Sequence, residues 1–241
     1  MRREKQAKDF EARRKEEEES RNKLDGRMQI MLCDLQNNLT PIDYSCTGLN
    51  LGTVQCRMFA AQVAYNSSLM SLHLARKGII DSVGVELARM LLTNKTLRKL
   101  ELEGNLLGLQ SAYAFGRALK VNTTLKFLDL ESNQLTTDGT VWGGVTSLIE
   151  FLAHNKTLLS LNLANNGMDD SCGSNFRELL EDNYTLIDFD FSMNNFTLED
   201  SRRIQDLLMR NKGIYDENRL REWRERKAMR AEDEALKELF L

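Results

Sequence analysis

The chain has 241 residues, 41% of them hydrophobic and 29% charged, with a net charge of −3. That composition fits a soluble protein with much solvated surface, and the absence of a net basic balance argues against a general nucleic-acid binder. The charge is unevenly spread: residues 1–38 hold 10 basic and 9 acidic side chains, residues 212–241 hold 8 and 8, and the middle holds 15 and 19.

No apolar run approaches the length of a membrane span, and Met1–Lys5 lacks the apolar core of a signal peptide. Cys33, Cys46, Cys56 and Cys172 form no CxxC pair. Reduced thiols and a cytoplasmic location are therefore expected.

Residues 1–24 predict one charged helix. Glu4/Lys8, Glu11/Lys15, Glu17/Arg21 and Glu19/Lys23 are acid-then-base pairs four apart, the orientation that best suits the helix dipole. Too little of it is apolar to bury a face, so it is either a solvated extension or an arm lying along a partner. Asp25-Gly26 breaks the pattern. Residues 25–38 then carry Met28, Met31, Leu32 and Leu35 on one helical face, which suits a cap over the open edge of a repeat array. Asn37-Asn38 ends this helix, because Asn tolerates the left-handed conformation.

Over residues 39–211 a phrase L-x-x-L-x-L-x-x-N recurs from Leu39, Leu69, Leu97, Leu125, Leu158 and Leu186, at spacings of 30, 28, 28, 33 and 28. The first apolar trio is Leu39/Ile42/Tyr44 and the fourth Leu125/Leu128/Leu130. A second marker keeps the same period: Asn66, Asn94, Asn122, Asn155, Asn183 and Asn211 each close a segment of helical spacing, mostly before x-Thr/Ser-Leu. These asparagines are expected to stop the helices by the same left-handed route. Each unit is thus a short strand, a turn and a helix. The 33-residue spacing comes from extra residues at Thr136–Gly144, whose Gly pair and Trp142 predict a bulged loop. Trp142 is either a binding anchor there or folds back onto the helices.

After Asn211, Lys212-Gly213 predicts a break, and residues 212–241 a separate charged helix. Leu220 and Trp223 then either cap the last repeat or belong to a helix that leaves the array and docks elsewhere.

Residues 39–211 resemble the ribonuclease-inhibitor type of leucine-rich repeat, with its unit of about 28 residues. The resemblance implies an α/β solenoid, a short horseshoe of six strand–helix repeats with a parallel sheet on the concave side and helices on the convex side, flanked by charged terminal helices. It also implies that Asn105, Asn133, Asn166 and Asn194 bond backbone groups in the turn after each strand.

Side chains alternate along a strand, so every second residue faces the concave surface. Those residues include Asp43, Glu101, Glu103, Phe127, Asp129, Glu131, Asp188 and Asp190, with His73 taken as neutral. Adjacent strands lie about 4.8 Å apart, which makes Glu101/Asp129 and Glu103/Glu131 like-charge neighbours. Such a face is either a solvated acidic surface or a groove for a basic peptide or helix. With Trp142 and Trp223, these residues are the partner-binding candidates.

The chain shows no phosphate-binding, zinc-protease or serine-hydrolase motif, and His73 and His154 stand far apart. No catalytic centre, metal or cofactor is expected. Charged helices flanking a small repeat array are similar to what proteins of ciliary axonemes and other cytoskeletal assemblies show, which implies an adaptor binding other proteins, with no nucleic acid or membrane. The tropomodulin and leiomodin repeat domain, of comparable size, implies an actin regulator instead. The Ran activator implies GTPase activation, but that family has more repeats and a long acidic tail.

Overall fold

Six strands of three residues each stand in sequence order in one parallel sheet: β1 (Asp43–Ser45), β2 (Ser71–His73), β3 (Lys99–Glu101), β4 (Phe127–Asp129), β5 (Ser160–Asn162) and β6 (Asp188–Asp190). Helices alternate with them: α1 (Gly26–Gln36), α2 (Thr53–Val63), α3 (Asp81–Thr93), α4 (Leu109–Val121), α5 (Gly143–Leu152), α6 (Asp170–Asp182) and α7 (Leu198–Leu239). The computed structural model describes residues 26–46, 52–136 and 142–239, with side chains as far as Met229, and before them Glu11, Ala12, Lys15, Glu19 and Leu24. Those four of residues 11–19 are helical and exposed, and Leu24 is buried. The rest of the expected charged helix lies outside the described residues. So do Thr47–Leu51 and most of the expected bulged loop.

The architecture is a leucine-rich-repeat solenoid. Its core is one continuous layer between sheet and helices, filled by the central residue of each strand (Leu72, Leu100, Leu128, Leu161, Phe189) and by helix residues such as Phe59, Leu87, Phe115, Leu148 and Phe176. Each fully buried side chain of this kind contributes roughly 1.5–3 kcal/mol. Helix α1 packs Met28, Met31, Leu32 and Leu35 over the first repeat while Ile30 stays outside.

The first repeat departs from the expected register. Tyr44 pairs with Leu72, so the unit begins at Pro41, and its core residues are Tyr44 and Cys46. Leu39 and Ile42 are 70% and 64% exposed. The first spacing is therefore 28 rather than 30. Because a shift of two preserves the face of every strand residue, the slip leaves Asp43 on the concave side.

Two sets of asparagines hold the repeats together, and neither works mainly through its own backbone. In the turn set, Asn105 accepts from the amides of Lys77 (2.9 Å) and Ile79 (3.0 Å). It donates to the carbonyls of Leu74 (3.0 Å) and Leu102 (2.8 Å). Asn133 likewise accepts from Leu107 and donates to Leu102, Leu130 and Glu131. Asn194 repeats the pattern between Met168 and Leu163. Asn166 keeps only the donating half, to Leu130, Leu163 and Ala164. Its Oδ1 is buried without a partner, at the turn that faces the lengthened repeat.

The helix-end set corrects the left-handed expectation. Asn94, Asn122 and Asn183 are extended, with φ of −62°, −75° and −93°. They end their helices through the side chain. Asn94 Oδ1 accepts the amides of Thr96 and Leu97 (2.9 and 2.7 Å), and its Nδ2 donates to Val63 O of the preceding helix (2.7 Å). The left-handed residues lie elsewhere, just before the turn position (Lys77 in the second repeat, Asn in the later ones): Arg76, Gly104, Ser132, Asn165 and Met193 all have φ between 52° and 66°. Four of them carry a Cβ that this conformation disfavours by roughly 1–2 kcal/mol. Asn38, at φ 57°, does end α1 in the expected way.

Two further corrections concern glycine. Gly143 and Gly144 begin helix α5 rather than lie in a loop. A Cβ on Gly144 would stand 2.4 Å from the carbonyl oxygen of Leu109, so only glycine lets α5 approach α4 this closely. Gly213 is interior to α7, which runs unbroken for 42 residues. The departure from the array pattern lies at Asn211. Its Nδ2 reaches Asn183 O (2.8 Å), as its place in the array requires, but its second bond goes to Leu186 O (2.8 Å), because Arg210 Nη2 takes the Leu180 carbonyl (2.7 Å). Its Oδ1, however, accepts from the Arg210 guanidinium at 2.9–3.0 Å instead of from following amides. No Thr-Leu strand start follows, and the lone glycine costs only about 1 kcal/mol relative to Ala. Nothing at this point terminates the helix.

Asn133→Ala should destabilise the chain by about 3 kcal/mol, since it leaves buried donors and acceptors on two repeats unpaired. Asn166→Ala should cost clearly less, because half of its side chain bonds nothing. Urea denaturation of the two variants side by side tests the order; equal losses would contradict the hydrogen-bond assignment.

Candidate functional site

A three-residue strand shows two side chains to the concave surface, and parallel pairing aligns them into rows. One row is Asp43, Ser71, Lys99, Phe127, Ser160 and Asp188; the next is Ser45, His73, Glu101, Asp129, Asn162 and Asp190. A third row follows the strands and contains Glu103 and Glu131. The candidates Asp43, Glu101, Glu103, Phe127, Asp129, Glu131, Asp188 and Asp190 thus share one surface.

Electrostatically that surface is two surfaces. In its N-terminal half every carboxylate has a basic side chain against it. His73 lies between Asp43 and Glu101, with Nε2 2.6 Å from Asp43 Oδ1 and Nδ1 in short contact with Glu101 Oε2. Lys99 Nζ stands 2.5 Å from Glu101 Oε1, and Arg76 Nη2 2.6 Å from Glu103 Oε1. Burial opposes the charged form of His73, but the hydrogen bonds and charges of Glu101 and Asp43 outweigh it and raise the imidazole above its ordinary value. That direction runs against the neutral His73 expected from sequence. For Glu101, burial works upward, yet Lys99 and His73 hold the carboxyl below the usual range.

The C-terminal half is different. Asp129, Glu131, Asp188 and Asp190 form no ion pair among the described residues. Asp129 accepts from the Glu131 amide (2.9 Å), Glu131 from Asn162 Nδ2 (2.9 Å), Asp188 from Ser160 Oγ (2.7 Å) and Asp190 from the Ser192 amide (2.9 Å). Burial pushes the Asp129 carboxyl up, and the charges of Glu131, Glu101 and Glu103 push the same way against that amide bond. Phe127 borders this half with 44% of its surface exposed. The result is an open acidic patch with one aromatic beside it, suited to a cationic, partly apolar partner.

The two tryptophans lie apart from this patch. Trp142 stands at the start of α5, half-buried and packed against the core, which is the fold-back alternative. Trp223 is 54% exposed on α7 with Lys227 over its ring at 5.2 Å, and Leu220 is 47% exposed. The capping alternative for residues 212–241 is therefore corrected. Ile204 and Leu207, earlier in α7, cover the last repeat, and the helix beyond Asn211 projects as an arm. Arg76 was missed from sequence as a groove residue; the one signal for it was its place beside the turn position at Lys77.

Among the described residues no cluster of His, Cys, Asp and Glu could hold a metal ion, and no helix is long and apolar enough to cross a membrane. Cys46, Cys56 and Cys172 are buried free thiols, each pushed up to about 12 by burial.

A family model described as leucine-rich repeat matches residues 121–140 and 154–174. No curated protein matches the chain. Among solved structures, actin-binding site 2 of leiomodin-1 is similar, with a TM-score of 0.52 and 21% identity, over 84% of this chain and 99% of that one. The C-terminal domain of Caenorhabditis elegans tropomodulin is similar with a TM-score of 0.51 and 15% identity, over 81% and 98%. At these identities the likeness is one of fold.

The raised imidazole value carries a sign. Stability contributed by His73 is fully present below its ordinary 6.5 and is lost as pH rises through the higher folded value. His73→Gln should therefore destabilise the chain more at about pH 5.5 than at about pH 9. Chemical denaturation at both values checks this, and an equal loss would mean that His73 is held neutral.

Proposed function

We propose that this chain, a leucine-rich-repeat protein of the ribonuclease-inhibitor type, is a non-catalytic adaptor that joins other proteins in a cytoskeletal or ciliary assembly. The observation that carries the reading is the acidic C-terminal half of the concave sheet: Asp129, Glu131, Asp188 and Asp190 without cations, beside exposed Phe127. A fold gains nothing from clustering four uncompensated carboxylates whose like charges repel: Asp129 and Glu131 stand two residues apart in the chain, as do Asp188 and Asp190, and only Asn162 separates Asp129 from Asp190. A basic helix or peptide of a partner relieves that repulsion. The arm beyond Asn211 supplies a second attachment, since Leu220, Trp223 and Met229 are exposed on it.

A specific observation favours a second reading, an actin regulator. The solenoid matches nearly the whole of a leiomodin-1 structure that is named as an actin-binding site. Shape alone supports that reading, because the identity is too low to carry the binding residues across.

Co-sedimentation divides the two. An adaptor of microtubule-based assemblies should pellet with microtubules or axonemal material and not with actin filaments; the reverse result favours the actin reading. In either case Glu131→Lys with Asp190→Lys should weaken capture about tenfold or more, because it sets like charges against the partner, while the melting temperature stays close to wild type. Unchanged capture would remove the concave face from the mechanism.

A further inference from the structure

Two charged surfaces of this molecule lie open, and they complement each other. We propose that the acidic half of the concave sheet receives the C-terminal arm of a second copy of this chain. The inference rests on the reading of that half as an interface and names its occupant.

The arm cannot serve its own groove. Asn211 ties α7 to the last repeat through Asn183 and Leu186, and the helix continues without a break to Leu239. Beyond Asn211 it extends about 42 Å at 1.5 Å per residue. It starts from the helix layer, and the groove lies on the other side of the sheet. A rigid helix anchored there would have to break to return, and Gly213, the one position that invites a break, is helical. A second molecule meets no such constraint.

The arm carries the matching charge. Lys212, Arg219, Arg226 and Lys227 recur at helical spacing on one side, with Trp223 among them, and all are exposed. Asp216 falls on the same side between Lys212 and Arg219, and Glu222 between Arg219 and Arg226, so the cationic excess on this side is Arg219, Arg226 and Lys227 against Glu222. These cations are weakly engaged within their own molecule. Arg226 stands 3.9 Å from Glu222, Arg219 lies over the Tyr215 ring at 5.8 Å, and Lys227 lies over Trp223.

The dimensions agree. A three-residue strand is about 10 Å long, the width of an α-helix. From β4 to β6 is two strand spacings, about 10 Å, and from Arg219 to Arg226 along a helix is about 10.5 Å. A helix laid across the strands therefore sets one cation near Asp129 and Glu131 and the other near Asp190. Trp223 then lies above Ser160 and Asn162, with Phe127 at its side. The N-terminal half of the groove is excluded as the seat, because His73, Lys99 and Arg76 already occupy its carboxylates.

The test is charge-swap complementation read by sedimentation velocity of the full chain. One variant reverses the groove (Asp129→Lys, Glu131→Lys, Asp190→Lys) and one reverses the arm (Arg219→Glu, Arg226→Glu, Lys227→Glu). Wild-type chain should shift from the mass of one copy toward two or more as its concentration rises, and return to one copy in about 0.5 M salt, where exposed charges are screened. Each variant alone should remain a single copy, and their equimolar mixture should associate again. The arm variant touches no core residue, so it carries the test even if the groove variant melts early. Wild-type chain that stays single at all concentrations, an arm variant that still self-associates, or a well-folded pair that fails to recombine would each overturn the inference. If wild type stays single but the groove variant still loses its cytoskeletal partner, the proposed function stands and only this occupant is wrong.

Discussion

The structure depends on how the backbone groups at the two ends of each strand–helix unit are satisfied. A solenoid has no closed core, and its turns carry amides and carbonyls that neither helix nor sheet can pair. Here asparagine meets them, because one amide side chain both accepts and donates. Asn94 and Asn122 face the preceding helix while ending their own, and Asn105 and Asn133 join the turn of one strand to that of the strand before it. Each bond reaches back one repeat, so the pitch is set by hydrogen bonds as much as by leucine packing. The left-handed residues before the turn asparagines are tolerated because those bonds over-determine the turn. The cost of leaving the pattern shows at Asn166, whose Oδ1 is stranded opposite the lengthened repeat.

On this frame the concave face follows from the alternation of a strand, but its charge does not. Alternation survives a two-residue error, which is why Asp43 keeps its face although the first repeat begins two residues later than the leucine phrase suggests. Counting charges along the rows describes one acidic groove. The rotamers of His73, Lys99 and Arg76 divide it, because each reaches a carboxylate on another residue, mostly one repeat away. Only from Asp129 onward does the acidity remain uncompensated.

The arm shows the same logic in reverse. Asn-Lys-Gly reads as a helix stop by local rules, and the five earlier asparagines of its series do end helical segments. At Asn211 the neighbouring Arg210 takes the acceptor that elsewhere holds the following amides. Two hydrogen bonds from one guanidinium thus accompany the change from a cap into a projecting helix, which leaves Leu220, Trp223 and Met229 in solvent.

The repeat, its period, the six strands, the capping face of α1 and the membership of the concave rows were legible in the residues themselves, because periods of two, of about 3.6 and of 28 are properties of one chain read along its length. What the tertiary structure alone decided was where the first repeat begins, how the helix-end asparagines work, which carboxylates keep an unbalanced charge, and whether the last helix stops. Each of these turns on a contact between residues that are neighbours in space but whose pairing depends on side-chain geometry, and no pattern of residue types records which of two available partners a side chain will take.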